Sequence, residues 1–209
     1  MNSCSFKTKY WNYETQKETD FECINQKQSN SENCIFHDLE FLKDKQNHET
    51  IRIQFEGIIS KYTSSINNEP LFCIGYNLRE VNINGKEFPN SVYFNQACFS
   101  GSLAINCTFQ NNVSFDNAKF SGEGDVNFWA QCLGKGDVNF QKAEFSKQGD
   151  VNFSGARFSG KRHVKFQNAR FSGKGDVKFS KGATYHSMTP NCLKKFRSSF
   201  LVLCSPMKA

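Results

Sequence analysis

A short apolar motif recurs along the chain from Val92 to Phe179. It has two versions, Val-x-Phe and Ala-x-Phe, and a polar, glycine-rich link ending in Asp-Val separates many of the pairs. The clearest copy is VNFSGARFSG at residues 151–160, and the unit begins again at Val164 and at Val177. Because residues two positions apart point to the same side of an extended segment, the pattern predicts short strands that each bury one face.

The predicted strands are too short to be stable alone, and their period indicates how they assemble. A fixed short period is typical of solenoids, in which successive coils stack and share one core. Large residues recur about every five positions from Leu78, and from Phe120 the spacing alternates between five and eight. Four strands per coil predict a coil of 26 residues at this spacing, with successive coils about 4.8 Å apart.

The repeat resembles that of the pentapeptide-repeat family over residues 78–185, about half of the chain. Members of that family form a right-handed parallel β-helix, with a large inward residue at the centre of each face and a small one two positions earlier. The resemblance implies a mainly β fold, a right-handed quadrilateral parallel β-helix rich in phenylalanine. The family's polar residue before the central position is retained in part, as at Asn127 and Asn152. Cys132 occupies a Phe position, where we expect a local cavity or an inward-facing Leu133.

The segments flanking the repeat are predicted to close its two ends. Residues 49–66 carry apolar side chains on one face of an amphipathic helix, which we expect to cap the solenoid: Ile51, Phe55, Ile58, Ile59 and Tyr62. The alternation from Ile51 to Phe55 also fits a strand. Residues 186–209 abandon the repeat, and we expect a short capping helix within this C-terminal tail.

Cysteine and histidine provide the strongest candidate for a site. The chain has nine cysteines, and three of them lie in the polar segment 1–48. Because residues 1–7 have no apolar core of a secretory signal, metal binding is favoured over disulfides. Three thiolates and one imidazole are a closed donor set for structural zinc. The sequence therefore predicts a zinc site formed by Cys4, Cys23, Cys34 and His37. His48 is a rival ligand, and the alternative is a set of free thiols.

Aspartates in the links are a second candidate. Stacked coils place Asp125, Asp150 and Asp176 at one corner, and Asp137 near His163 at the opposite corner. Such a column could bind Ca²⁺, but we expect each carboxylate to accept backbone N–H bonds in a tight glycine turn.

The charge distribution bears on the function. The net charge is +6, and residues 92–185 hold 12 Lys and Arg against 7 Asp and Glu, a net +5. Some pentapeptide-repeat proteins mimic duplex DNA and act on gyrase, but that activity needs an acidic rod, so it is disfavoured here. A basic rod with the exposed aromatic Trp129 leaves nucleic-acid binding as the alternative.

Neither a catalytic constellation nor a membrane anchor is predicted. His163 and His186 have no nucleophile set beside them by spacing, and the apolar run at residues 200–204 is far too short to cross a membrane. We therefore expect a cytoplasmic, non-enzymatic scaffold or interaction protein. It would have a structural zinc site and an unidentified protein partner.

Overall fold

The predicted strands form, and each pairs in parallel with the equivalent strand of the next coil. A computed structural model of the chain describes residues 3–64, 69–158 and 163–179. Parallel pairing begins where Leu71 pairs with Val92, earlier in the chain than the predicted start of the repeat at Leu78. It continues to the pairing of Phe153 with Phe179. The fold is therefore mainly β, a parallel β-solenoid, as the repeat predicts.

The strands are arranged in four faces that follow one another around each coil. The first face consists of β3 (Leu71–Phe72), β6 (Val92–Tyr93), β9 (Val113–Ser114), β13 (Val138–Asn139) and β17 (Val164–Lys165). The second consists of β4 (Asn77–Leu78), β7 (Cys98–Phe99), β10 (Lys119–Phe120), β14 (Glu144–Phe145) and β18 (Arg170–Phe171). The longer β5 (Val81–Phe88) and β8 (Leu103–Phe109) turn a corner and belong to both remaining faces. The third face adds β11 (Val126–Phe128), β15 (Val151–Phe153) and β19 (Val177–Phe179), and the fourth adds β12 (Gln131–Cys132) and β16 (Arg157–Phe158).

Phenylalanine rings of successive coils stack along the solenoid. On the second face, the Phe120 ring centre lies 5.0 Å from that of Phe99 and 4.5 Å from that of Phe145, with nearly parallel planes. On the first face, the same stacking joins Phe94, Phe115, Phe140 and Phe166. Each aromatic pair adds about 0.5–1.5 kcal/mol to the stability gained by burying the rings.

The coils lengthen along the solenoid. Val92 pairs with Val113, 21 residues later, whereas Val138 pairs with Val164, 26 residues later. The predicted coil of 26 residues is therefore right for the last coils and wrong for the first. Because the additional residues lie in links between strands, inward positions stay in register from coil to coil.

One link shows why glycine is required at a corner. Gly122 has φ +94°, and a Cβ there would overlap the backbone oxygen of Ser100 in the preceding coil. Glycine alone combines this backbone conformation with so close an approach. Gly122 is thus needed both for the turn of the link and for the close packing of its coil on the preceding one.

Cys132 stands in a Phe column, as predicted. It pairs with Phe109 on one side and Phe158 on the other and is fully buried. Leu133 does not turn inward to compensate, because its side chain is 46% exposed. The alternative of an inward-facing Leu133 was therefore wrong, since the backbone alternation that buries Cys132 directs its neighbour outward.

Two helices precede the solenoid. The predicted amphipathic helix is α2 (Asn47–Ser64), and its buried residues are Ile51, Phe55, Ile59 and Tyr62. It lies across the first coils, with Phe55 near Phe94 and Tyr62 stacked near Phe88. The additional α1 (Leu39–Lys43) is capped by the Asp38 carboxylate, which accepts two backbone N–H groups.

A β-hairpin, which the sequence interpretation missed, covers the first face. It pairs β1 (Lys7–Asn12) with β2 (Lys17–Glu22) in an antiparallel register. Tyr10 of β1 packs edge-on against Tyr93 and Phe72, at ring distances of 5.1 and 5.7 Å. The polar N-terminal segment therefore obtains its apolar contacts from the outer surface of the solenoid.

The predicted end of the repeat, residues 180–185, and the predicted capping helix within residues 186–209 lie outside the described residues.

Candidate metal centre

The four predicted ligands converge at the open end of the hairpin. Cys4 precedes β1 and Cys23 directly follows β2, so antiparallel pairing brings them together. Cys34 and His37 approach from the loop before α1. All four side chains are buried, and their ligand atoms lie within 4.8 Å of one another. They are therefore close enough to bind one metal ion.

Three of the six distances between donor atoms are close to those around a tetrahedral ion. Cys23 Sγ lies 3.9 Å from Cys34 Sγ, and His37 Nδ1 lies 3.3 Å from Cys34 Sγ and 3.5 Å from Cys4 Sγ. Tetrahedral zinc, with bonds of about 2.3 Å to sulfur and 2.0–2.1 Å to nitrogen, separates its ligand atoms by about 3.5–3.8 Å. A disulfide needs sulfur atoms only about 2.05 Å apart, so Cys23 and Cys34 are free thiols.

The His37 ring is oriented by its other nitrogen. Nε2 lies 2.8 Å from the carbonyl oxygen of Ile74, so it carries the proton and donates. This leaves the Nδ1 lone pair directed at the thiols, the arrangement typical of a metal-ligating histidine. The ring also stacks on Phe6 at 3.9 Å and meets Tyr76 edge-on at 5.4 Å. These contacts fix the ring plane.

The thiols differ in their tendency to ionise. A hydrogen bond from the Cys23 thiol, together with the contact with His37, lowers the pKa of Cys34. The same hydrogen bond and burial raise the pKa of Cys23. A cation bound here would displace the proton that Cys23 retains, because the thiolate is the ligating form.

The cluster also fastens the N-terminal segment to the first coil. Besides the bond from His37 to Ile74, the backbone oxygen of Phe36 accepts hydrogen bonds from both the backbone and the side chain of Asn77. The Phe36 ring stacks on Tyr76 at 4.3 Å. A metal here would link the hairpin, the loop and the solenoid.

Other cysteine and histidine residues lie apart from the cluster. His48, the rival ligand, donates from Nε2 to the backbone oxygen of Leu42 in α1. Cys107 and Cys132 are buried in the solenoid core, and Cys98 is partly buried on the second face. Only the four predicted residues form a metal-ligating group among the described residues.

The link aspartates accept backbone hydrogen bonds, as expected, but from the following coil. Asp125 accepts from the N–H of Asp150, and Asp150 from that of Asp176, at 2.9 and 2.8 Å. Asp137 accepts from the N–H of His163 at 3.1 Å. These carboxylates therefore join successive coils.

A buried polar network beneath the hairpin tip was missed by sequence reasoning. The Tyr13 hydroxyl donates to the Asp116 carboxylate, which also accepts from the backbone N–H of Gln141. Burial raises the pKa of Asp116 to about 6. A sequence signal existed, because Asp116 and Gln141 follow central Phe residues of the first face, but nothing local pairs them with Tyr13.

Comparisons with known proteins do not extend this description: no protein-family model, curated protein or solved structure matches the chain. Within the described residues, the helices lack the length and apolar character needed to cross a membrane.

Proposed function

We propose that the chain is a non-enzymatic scaffold of the pentapeptide-repeat type that binds another protein in the cytoplasm and carries a structural zinc ion. The observation that supports this most strongly is the buried Cys3His cluster at the junction of hairpin and solenoid. Such a cluster stabilises a segment that has few apolar residues of its own.

Zinc fits the donor set better than other common ions. Three sulfurs and one imidazole nitrogen are ligands that Zn²⁺ binds tetrahedrally, whereas Ca²⁺ and Mg²⁺ take oxygen ligands. The described cysteines are all free thiols, as a reducing compartment such as the cytoplasm would keep them.

A structural role fits better than a catalytic one. Catalytic zinc uses three protein ligands and keeps one position for water, whereas this cluster offers four. The four side chains are at most 7% exposed, which leaves little access for a substrate.

Metal analysis of the purified protein tests the zinc site. We expect one equivalent of zinc in the wild type and none in Cys34→Ser. Cys98→Ser is the matched control, because Cys98 lies on the second face outside the cluster, and it should retain the metal. Cobalt substitution should give the visible spectrum of a tetrahedral thiolate site. A folded wild type without metal, or a Cys34→Ser variant with a full equivalent, would contradict the proposal.

Nucleic-acid binding is the second candidate, favoured by the net charge of +5 over residues 92–185 and by Trp129, which is 40% exposed. Several of the positive charges are already paired, however: Lys165 with Asp137 and Lys178 with Asp150. Paired cations release fewer counterions from phosphates and bind them less strongly. The same charge disfavours mimicry of DNA.

Fluorescence anisotropy separates the two candidates. Labelled duplex DNA and single-stranded RNA are titrated with the protein at low and at physiological salt. We expect only weak binding at physiological salt. Submicromolar affinity that falls steeply with salt would favour the nucleic-acid function.

A further inference from the structure

A cavity lies between the hairpin and the solenoid, away from the metal cluster. Its volume is about 520 Å³, within the range of about 300–1,000 Å³ usual for small-molecule sites. One wall is formed by the hairpin, including Trp11 and Tyr13, and the other by the corner that follows the first face. The cavity is thus a product of hairpin docking.

The solenoid wall is a ladder of polar side chains. Gln96, Asn117 and Lys142 occupy equivalent corner positions in successive coils and share the left-handed conformation, with φ of 61°, 58° and 56°. The residues immediately before them, Asn95, Asp116 and Gln141, also line the cavity. Because coils are about 4.8 Å apart, the wall repeats amide and carboxylate groups at that interval.

Part of this ladder has unused hydrogen-bonding capacity. Asn95 is 2% exposed, and its Oδ1 accepts no hydrogen bond from any described residue. Asp116 accepts two hydrogen bonds, fewer than its two oxygens can accommodate. The Asn95 oxygen itself has almost no exposed surface, so a ligand in the cavity would bond to its neighbours in the ladder, of which Asn117 and Lys142 are exposed.

The charges lining the cavity nearly balance. Its lysines are Lys9, Lys142 and Lys165, and its carboxylates are Glu18 and Asp116. Lys165 is already paired with Asp137, and Lys9 lies 3.7 Å from Glu18. The lining therefore favours a neutral polar ligand over a strongly charged one.

Trp11 adds an aromatic surface at the rim. Its side chain is 43% exposed, although the ring is one of the largest apolar groups in the chain. A hydroxyl group both donates and accepts, so it pairs well with amides and carboxylates. A ring with an apolar face and hydroxyls at its edge would pack on Trp11 and bond to the ladder.

We propose that this cavity binds a neutral carbohydrate, with Trp11 packing against a sugar ring and the ladder at Asp116 and Asn117 bonding to its hydroxyls. The site does not depend on the identity of the metal. Its failure would leave the zinc proposal standing, because metal content is measured separately.

The test uses the metal-loaded, full-length protein on an array of immobilised neutral and acidic oligosaccharides, followed by calorimetric titration of the oligosaccharides that bind. We expect binding to neutral glycans. Trp11→Ala should weaken it at least tenfold, whereas Trp11→Phe should retain most of it. Asn117→Gly should also weaken it, since glycine keeps the left-handed backbone and removes only the amide.

Trp129→Ala is the matched control, because Trp129 is similarly exposed but lies on the solenoid and does not line the cavity. It should bind as the wild type does. Circular dichroism checks that each variant is folded. Binding to none of the glycans, binding to acidic glycans alone, or equal loss in Trp11→Ala and Trp129→Ala would each overturn the proposal.

Discussion

Replacing Phe120 by alanine should destabilise the solenoid more than most single substitutions. The ring is fully buried and lies between Phe99 and Phe145, at 5.0 and 4.5 Å. Phenylalanine-to-alanine changes in cores cost about 3–5 kcal/mol, and more where the neighbours cannot collapse into the cavity. Because each neighbouring ring is held by its own coil, we expect about 4–5 kcal/mol, equivalent to a fall in Tm of about 10–15 °C.

Two further variants divide this free energy into its parts. Phe120→Leu keeps most of the apolar burial and loses two stacked pairs, so we expect a cost of about 1–3 kcal/mol. Phe171→Ala removes a partly exposed ring that stacks on Phe145 at 4.5 Å and on no other described residue. Its cost should be about half that of Phe120→Ala.

The assay is urea unfolding followed by far-ultraviolet circular dichroism at a fixed zinc concentration, so that the proposed zinc ion contributes equally to every variant. A cost for Phe120→Ala below about 1.5 kcal/mol would be too small for a stacked core residue. Equal costs for Phe120→Ala and Phe171→Ala would likewise show that stacking between coils contributes little.

Three other outcomes are expected. Gly122→Ala should lower the unfolding free energy in urea by more than about 2 kcal/mol, because of the positive φ and the overlap with the preceding coil. Gly57→Ala, with open space around it in α2, should instead raise the unfolding free energy by about 0.5–1 kcal/mol. Similar values for the two variants would contradict the role of the link. Burial raises the pKa of Asp116, so its stabilising contribution is present below about pH 4 and is lost as pH rises through about 6. Relative to Asp116→Asn, the wild type should therefore lose about 2–3 kcal/mol of unfolding free energy between pH 4 and 7, and parallel pH curves would refute this. Removing metal with a chelator should change the fluorescence of Trp11 in the hairpin and leave most strand circular dichroism intact, and loss of both signals together would show that the solenoid also needs the metal.

The repeated part of the fold could be predicted from the sequence because its information is local. A Val-x-Phe triplet specifies two inward side chains wherever it occurs, so Val151 and Phe153 predict their own burial. The coil length could not be predicted as well, since it depends on how many residues the corner links accommodate. Links after Phe99 and after Phe120 differ in length while the flanking strands stay paired.

For the metal cluster and the hairpin, the residues of the site could be predicted from the sequence, but the elements that position them could not. Residue chemistry alone identified Cys4, Cys23, Cys34 and His37, although their spacing is long. The hairpin that brings two of them together was missed because its buried tyrosine, Tyr10, owes much of its burial to Tyr93 and Phe72 of the solenoid, which are distant in the sequence. Long-range contacts of this kind leave no periodic signal in the sequence.

The cluster lies where the hairpin needs additional stabilisation. A two-stranded hairpin is marginally stable in isolation. Here it is fastened at its open end by the cluster and at its tip by the bond from Tyr13 to Asp116. Solenoid coils interact mainly with their nearest neighbours, so a change in the last described coil should leave the cluster unaffected. Zinc content of Phe171→Ala should therefore match the wild type, and its loss would indicate coupling along the whole solenoid.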